Sequence, residues 1–358
     1  MMKRFLKYLL IGLLVVVLIV VGYLIYLFTA YYRVPDNQKL TINNSRQADV
    51  QVDKNYRAMT YNIGYGSYPP SYTFFMDGGK KSIADSKQSV VDNINGVIKT
   101  TKEVDPEFAF YQEVDEHGKR SRNVNEQKQI SSSLEHEYGS VFGQNYDSPY
   151  LFFPVTKPIG KAKSGLLALS KAKMEHSKRY SLPIDIDINK FFDLDRAFTV
   201  TISPVANGKK MILIDVHLSA YTKSAKVQNA QLKKMFNVME DEYKKGNYVM
   251  VGGDYNHDTL GDSPKVFHTA NQHLTWNKPF PKDKIPAGFH MPMGSLREDA
   301  VPSARNLNEP YKKGKSFVTM IDGFIISDNI QVKDVKVKDT SFAYSDHNPL
   351  VMNFKLAK

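Results

Sequence analysis

Residues 251–258 read VGGDYNHD. The apolar run YVMV (248–251) leads into two glycines, and then Asp254, Asn256 and Asp258 fall on alternate positions. Three readings compete: the opening of a calcium loop, a carboxylate at the exit of a buried strand, or a polar turn. A helix–loop–helix calcium site needs Gly at its sixth position and a bidentate Glu at its twelfth. Counted from Asp254, those positions hold Thr259 and Lys265. A lysine cannot ligate a cation, so the calcium reading falls. The choice between the other two depends on the rest of the chain.

With 358 residues, 42% of them hydrophobic, the chain can build one large α/β domain or two small ones. It has no cysteine, which excludes disulfides, thiolate metal sites and a cysteine nucleophile. The N-terminus carries Lys3, Arg4 and Lys7, and then Leu9–Phe28 runs without a charge. At about 1.5 Å per residue this run covers roughly 30 Å, one bilayer core. A cleaved signal would have a shorter apolar stretch and a small-x-small exit. Here only Ala30 fits, with bulky Phe28 two residues before it. The expectation is an uncleaved single-pass anchor in the cell membrane over residues 1–30. The basic cluster before it predicts a cytoplasmic N-terminus and an extracellular remainder. Net charge is +11, which suits an anionic partner such as nucleic acid or phospholipid headgroups, and suits plain solubility equally well.

Residues 31–54 are polar and aperiodic and read as a tether. From residue 55 onward the pattern alternates between buried strands and amphipathic helices. Strands are expected at 57–63, 107–112, 165–170, 197–204, 210–217, 248–252, 320–326 and 350–355, and helices at 85–101 and 225–244. The stretch 275–315 is rich in Pro and Lys, lacks periodicity, and reads as a long functional insertion loop.

Polar residues follow the apolar runs: Asn62 after RAMTY, Glu113 after FAFYQ, His217 at the end of MILIDV, and Asp254 and Asn256 after YVMVGG. Asp322 precedes GFIIS, and Asp346 and His347 precede the last strand. Singly, each is more often a turn or cap residue than a ligand. As an ordered set, N-I-G, Q-E-V, D-V-H-L, G-D-Y-N, I-D and S-D-H-N-P resemble the endonuclease/exonuclease/phosphatase superfamily. Its members include pancreatic-type DNases, abasic-site endonucleases, inositol-polyphosphate 5-phosphatases and bacterial neutral sphingomyelinases. The resemblance covers about Tyr56–Phe354. It departs from the family pattern in GDYN, where GDFN or GDLN is commoner, and in the insertion before Met320.

The resemblance implies an α/β fold: a four-layer α/β/β/α sandwich of two mixed sheets, here preceded by one N-terminal transmembrane helix. It also implies a metal-assisted phosphoester hydrolase. Glu113 matches the principal Mg²⁺ or Mn²⁺ ligand, and Asn62 and Asp346 match residues that complete that shell. Asp254 matches the residue that positions the attacking water or assists the leaving oxygen, and Asn256 the amide that holds a phosphate oxygen. His347 matches the general base or phosphate-polarising histidine, oriented by Asp322, and His217 a second histidine suited to acid/base work. The glycines before Asp254 would let a substrate phosphate approach.

The residues themselves supply what phosphoester hydrolysis needs: cation ligands, a poised base and donors around the phosphate. Arg196 is a candidate phosphate clamp, or else the partner of Asp193 or Asp195. Two loops are expected to border the site. One, 67–82, carries Tyr68, Tyr72, Phe74 and Phe75; the other, 115–122, carries Lys119, Arg120 and Arg122. They would serve a nucleic-acid backbone with stacked bases, or a bilayer with anionic headgroups. Three readings remain: a surface-anchored nuclease, which the basic loop favours; a phospholipase C-like or lipid/inositol-phosphate hydrolase; and a non-catalytic adhesin or sensor. No obligate protein partner is evident.

Overall fold

The computed structural model describes all residues except 192, 221–224, 270–273 and 275–276. In chain order the strands are β1 (Gln38–Lys39), β2 (Ile42–Asn43), β3 (Tyr56–Asn62), β4 (Phe108–Gly118), β5 (Gly139–Asp147), β6 (Ala162–Ser170), β7 (His176–Ser181) and β8 (Ala197–Pro204). They continue as β9 (Lys210–His217), β10 (Tyr248–Asp254), β11 (Phe289–His290), β12 (Ala304–Arg305), β13 (Val318–Thr319), β14 (Asp322–Ser327), β15 (Ile330–Val337) and β16 (Leu350–Leu356). The helices are α1 (Met2–Ala30), α2 (Lys87–Val104), α3 (Glu126–Leu134), α4 (Ala225–Tyr243), α5 (Ser263–Val266) and α6 (Leu296–Asp299).

Two sheets carry the fold. One runs β15-β16-β3-β4-β6-β5-β2 and the other β1-β7-β8-β9-β10-β14-β11. Both are mixed: β3 pairs with β4 and β9 with β10 in parallel, while the remaining pairs are antiparallel. All seven residues of β10 are buried, as expected of a strand covered on both faces. The inter-sheet core includes Phe108, Phe110, Leu213, Met250, Phe324 and Met352. On the outer face of the first sheet, Tyr61, Tyr111 and Leu167 cluster with Val90, Ile94 and Val97 of α2 and Ile130 of α3. On the outer face of the second, Ile212, Ile214 and Val251 cluster with Leu232, Met235 and Met239 of α4. This is the four-layer α/β/β/α sandwich expected from the sequence. Helix α2 starts where Ser86 Oγ accepts the Ser89 amide at 2.9 Å, a side-chain N-cap. Helix α1 is long and apolar enough to cross a membrane.

Three expectations need correction. Residues 31–54 are not a free tether: β1 pairs with β7, β2 pairs with β5, and Val50 bridges Val205. Val34 and Val50 are buried, so apolar residues spaced too irregularly to suggest a strand still stitch the segment to both sheets. The stretch 275–315 is not simply a loop. It contributes β11 to a sheet edge, then α6 and β12, with residues 275–276 outside the described part. The two glycines of VGGD serve packing. A Cβ on Gly253 would stand 2.0 Å from the Val216 carbonyl oxygen of β9, and one on Gly252 would stand 2.7 Å from the Phe110 ring.

That crowding is testable. Gly253→Ala must push β9 away from β10 or bend the strand, at a cost of about 1–3 kcal/mol. Thermal unfolding of the purified protein should show a midpoint lowered by several degrees, with Gly12→Ala as a control whose Cβ meets nothing within 4 Å and whose backbone is helical.

Candidate active site

The strand register assembles most of the site. His217, Asp254 and Asp322 lie side by side across β9, β10 and β14. Asn62 ends β3 in the facing sheet, and Asp346 and His347 precede β16. Glu113 sits within β4, where the pairing with β6 shifts between Tyr111 and Val114. Its φ is +57°, in the left-handed region. A bulge of this kind re-aims a side chain that an unbroken strand would point elsewhere. Arg196 (φ +44°) and Asn256 (φ +49°) also take left-handed backbone.

The geometry centres on Asp254 Oδ2. Asn62 Nδ2 donates to it at 2.9 Å across the gap between the sheets. His217 Nε2 stands 3.6 Å from it and His347 Nε2 3.8 Å. His217 Nε2 is also 3.8 Å from Glu113 Oε1. His347 Nδ1 is bonded to Asp322 Oδ2 at 2.8 Å, which fixes the ring and leaves Nε2 toward Asp254. Asp254 Oδ1 accepts the Asn256 amide at 2.8 Å, while Asn256 Nδ2 donates to the Leu218 carbonyl at 2.7 Å. Ser345, which lies inside the S-D-H-N-P motif but was not singled out in the sequence, donates from Oγ to the Asn62 carbonyl at 2.9 Å. The same Oγ lies 3.2 Å from Asp346 Oδ1.

The electrostatics follow from burial and neighbours. Burial and the charge of Asp346 push Glu113 up to about 8, against the opposing pull of His347 and Arg120. Burial and Asp322 raise Asp254 to about 6. Burial works against a charge on His347, but Asp322 outweighs it, through its charge and its hydrogen bond. With Asp346 and Asp254 adding to this, the imidazole rises to about 10. His217 moves well below its ordinary value, because burial and the nearby cations Arg196, His347 and Arg120 all disfavour its charged form. The surroundings thus favour the charged form of one imidazole and the neutral form of the other.

A cavity of about 320 Å³ opens on this cluster. Glu113, His217, Asp254, Asn256, Asp346 and His347 line it, together with Arg120 and Arg196. Asn62 and Asp322 do not line it; they hold Asp254 and His347 from behind. Lys119 lies outside the lining and donates to the Tyr150 hydroxyl at 2.7 Å. Arg196 is anchored by Asp193 at 2.9 Å and by the Leu218 carbonyl at 2.8 Å, so the ion-pair reading and the cavity reading both hold. The aromatics split: Tyr68 and Tyr72 are buried in a small cluster, whereas Phe74 and Phe75 line the cavity with Tyr68. Arg305 and Lys190 also line the cavity, although neither carried a signal in the sequence.

The donor set suits a hard divalent cation. Glu113 and Asp346 share one cavity, and the burial of Glu113, with the charge of Asp346 adding to it, is a cost that a bound cation would relieve. Asn62 fits the expected ligand role less well, since its Oδ1 accepts the Gly64 amide at 3.0 Å and its Nδ2 is committed to Asp254. Among the described residues, Asp254, Asp322 and His347 also bring their donor atoms within 4.8 Å of one another. There the Asp322–His347 hydrogen bond already occupies two of the donors, and Asp254 stands 3.8 Å from the other ring nitrogen.

Arg120 is tied down more firmly than a loop arginine would be. It donates to Asp115 from Nη2 at 2.9 Å and from Nε at 3.3 Å, and its guanidinium lies 3.2 Å from the Tyr65 ring centre. Arg120→Met would leave Asp115, which is fully buried, without its cation. Denaturant unfolding should show a loss of about 3–5 kcal/mol.

No protein-family model matches the sequence, and no curated protein matches it. Solved structures do match. An endonuclease/exonuclease/phosphatase from Beutenbergia cavernae DSM 12333 aligns at 15% identity over 85% of this chain and 72% of its own, with a TM-score of 0.55. ANGEL2, a 2',3'-cyclic phosphatase, aligns at 12% identity over 92% of this chain and all of its own, with a TM-score of 0.56. D. rerio TDP2 complexed with single strand DNA product aligns at 13% identity over 85% of this chain and all of its own, with a TM-score of 0.52. Identities this low speak for architecture, and on that evidence the chain has the endonuclease/exonuclease/phosphatase fold.

Proposed function

We propose that the protein is a divalent-metal-dependent phosphoester hydrolase whose catalytic domain is held at the outer face of a membrane by α1. The observation that carries this reading is Asp254 Oδ2, which lies 3.6 Å from His217 Nε2 and 3.8 Å from His347 Nε2 in the same cavity as the Glu113–Asp346 pair. Mg²⁺ or Mn²⁺ held by Glu113 and Asp346 would neutralise phosphate charge and polarise its oxygens. The remaining chemistry belongs to the side chains. Asp254, aimed by Asn62, positions the attacking water. His217, kept neutral, is ready to accept a proton, and His347, kept charged, is ready to donate one. Arg196, pinned by Asp193, presents a cation toward the phosphate. In the net reaction water places its hydroxyl on phosphorus, the P–O ester bond breaks, and the departing alkoxide takes up the remaining proton.

The basic loop that favoured a nuclease gives weaker support once folded. Arg120 is bound to Asp115, Lys119 lies off the cavity, and Tyr68 and Tyr72 are buried. Nucleic acid remains one arm of the test, since a structural neighbour was solved with DNA product.

The test is a panel of bis(p-nitrophenyl) phosphate, oligonucleotides, phospholipid vesicles and inositol phosphates, with EDTA and then with Mg²⁺ or Mn²⁺ restored. Activity should vanish with the chelator and return with the metal. His347→Ala, Asp254→Asn and Asp322→Asn should each lower turnover by about two orders of magnitude or more, with the circular dichroism unchanged. A near-parental rate in any of the three would overturn its assigned role. Inactivity across the whole panel would favour the adhesin or sensor reading.

A further inference from the structure

Helix α1 does not simply lead into the domain; its last turns are docked against it. Residues 9–21 are exposed throughout, and contact begins at Tyr23. The Tyr23 hydroxyl donates to the Tyr150 carbonyl at 3.0 Å and accepts the Phe152 amide at 3.0 Å, and the Tyr26 hydroxyl accepts the Tyr150 amide at 2.8 Å. Leu27 packs with Leu151 and Phe191, and the Tyr31 hydroxyl donates to Asp195 at 2.6 Å. Arg33 donates to the Leu182 and Asp195 carbonyls just beyond. These contacts join the helix to two segments, 150–160 and 184–195, and both segments also line the catalytic cavity, through Leu151, Ile159, Asp193 and Leu194.

The depth of this docking is informative. The uncharged run Leu9–Phe28 matches one hydrocarbon core. Tyr23 lies five residues before its outer end, about 8 Å along the helix axis. The segment at 150–152 therefore sits beside the helix below the outer limit of the apolar run. Insertion to roughly 5–10 Å is the depth at which amphipathic structures rest in the headgroup/acyl boundary. Side chains on the same two segments suit that environment. Phe152, Phe153, Val155, Ile186 and Ile188 are exposed, Val155 at 80% and Ile186 at 91%. Of these, Phe153 lines the cavity itself and the others lie on the two segments that border it, and exposed apolar groups of this size are costly in water. Lys190, whose Nζ lies 5.0–5.4 Å from the ring centres of Phe28, Tyr31 and Phe191, has the apolar stem and charged tip of an interfacial residue. Asp185 and Asp187 flank Ile186 and would limit that loop to headgroup depth.

We infer that the mouth of the catalytic cavity is seated in the outer interface of the membrane that α1 crosses, and that its substrate class is a phosphoester headgroup of a lipid in that leaflet. The inference rests on the phosphoester and membrane readings above and adds where the substrate comes from. A headgroup entering between the 150–160 and 184–195 segments needs only lateral diffusion, while its acyl chains remain in the bilayer against Phe152, Val155 and Ile188.

Two measurements on the full chain test this. The first needs no activity. Because the chain has no cysteine, Val155→Cys can carry a single environment-sensitive fluorophore in vesicles of phosphatidylglycerol and phosphatidylcholine (3:7). Ala206→Cys is the control, in the turn between β8 and β9 at the opposite end of the sheet from His217. The label at 155 should be quenched by spin-labelled lipid and shifted to the blue, and the label at 206 should report water. Equal water exposure at both positions would overturn the seating. The second compares the parent with a Val155→Ser/Ile186→Ser/Ile188→Ser variant in the same vesicles. Phosphatidylglycerol hydrolysis should fall at least tenfold, while bis(p-nitrophenyl) phosphate hydrolysis stays within twofold. Lipid hydrolysis that ignores the triple substitution, or a parent that cleaves the soluble ester or an oligonucleotide but no vesicle lipid, would overturn the substrate class. A parent inactive on every ester would instead overturn the hydrolase reading, with the fluorescence result standing apart from it.

Discussion

The hydrogen bond from Asn62 to Asp254 crosses from one sheet to the other, joining residues 192 positions apart in the chain. A second such bond, from Gln112 Nε2 of β4 to Asp215 Oδ1 of β9 at 2.7 Å, also joins the sheets, and the inter-sheet core itself is apolar and packs without direction. At the site the contact is oriented, between an amide and a carboxylate that are both buried. A buried carboxylate must find donors or lose its charge. Asp254 finds Asn62 and the Asn256 amide within bonding distance, and two imidazoles stand just beyond. The spacing of the two layers and the placement of the polar groups of the site are thus one problem with one solution. A sheet that slipped by a residue would turn Asp254 to the opposite face.

The second constraint is charge density. Glu113, Asp254, Asp322 and Asp346 come together in a largely desolvated corner, and His347, Arg120, Arg196 and, beside Asp346, Arg305 face them. Arg120 and Arg196 are each tied to an acid outside the cluster, Arg120 to Asp115 and Arg196 to Asp193. The arginines are thereby held rigid, and their positive charge is partly spent before it reaches the cavity. What remains favours one more cation. The left-handed backbone at Glu113, Arg196 and Asn256 costs on the order of 1 kcal/mol or more at each residue, and the surrounding sheets over-determine it.

Much of this was legible in the sequence because strand ends are legible. Apolar runs marked β3, β9, β10 and β16 to within a residue or two, and the polar residue after each run fell at the same edge. Asp322 and His347 could be paired only through the family resemblance, since nothing local links residues 25 positions apart. What escaped had no periodic signal. The bulge that aims Glu113 is a register shift and leaves no mark in composition. Segments 31–54 and 275–315 pair through strands of two residues, too short for alternation to show. The role of Gly252 and Gly253 was misjudged because a glycine beside a catalytic acid invites a ligand, whereas here the close approach comes from Phe110 and the Val216 carbonyl.

The stitching of residues 31–54 also fixes a mechanical property. A free segment of this length would let a domain wander tens of ångströms from α1, since a flexible chain spreads as roughly 5–6 Å times the square root of its residues. Two short strand pairings, the Val50–Val205 bridge and the Tyr31–Asp195 bond remove that slack. The domain is mounted like a turret with its bearing locked. Its cavity keeps one bearing relative to the axis of α1, so helix and cavity turn together as one piece.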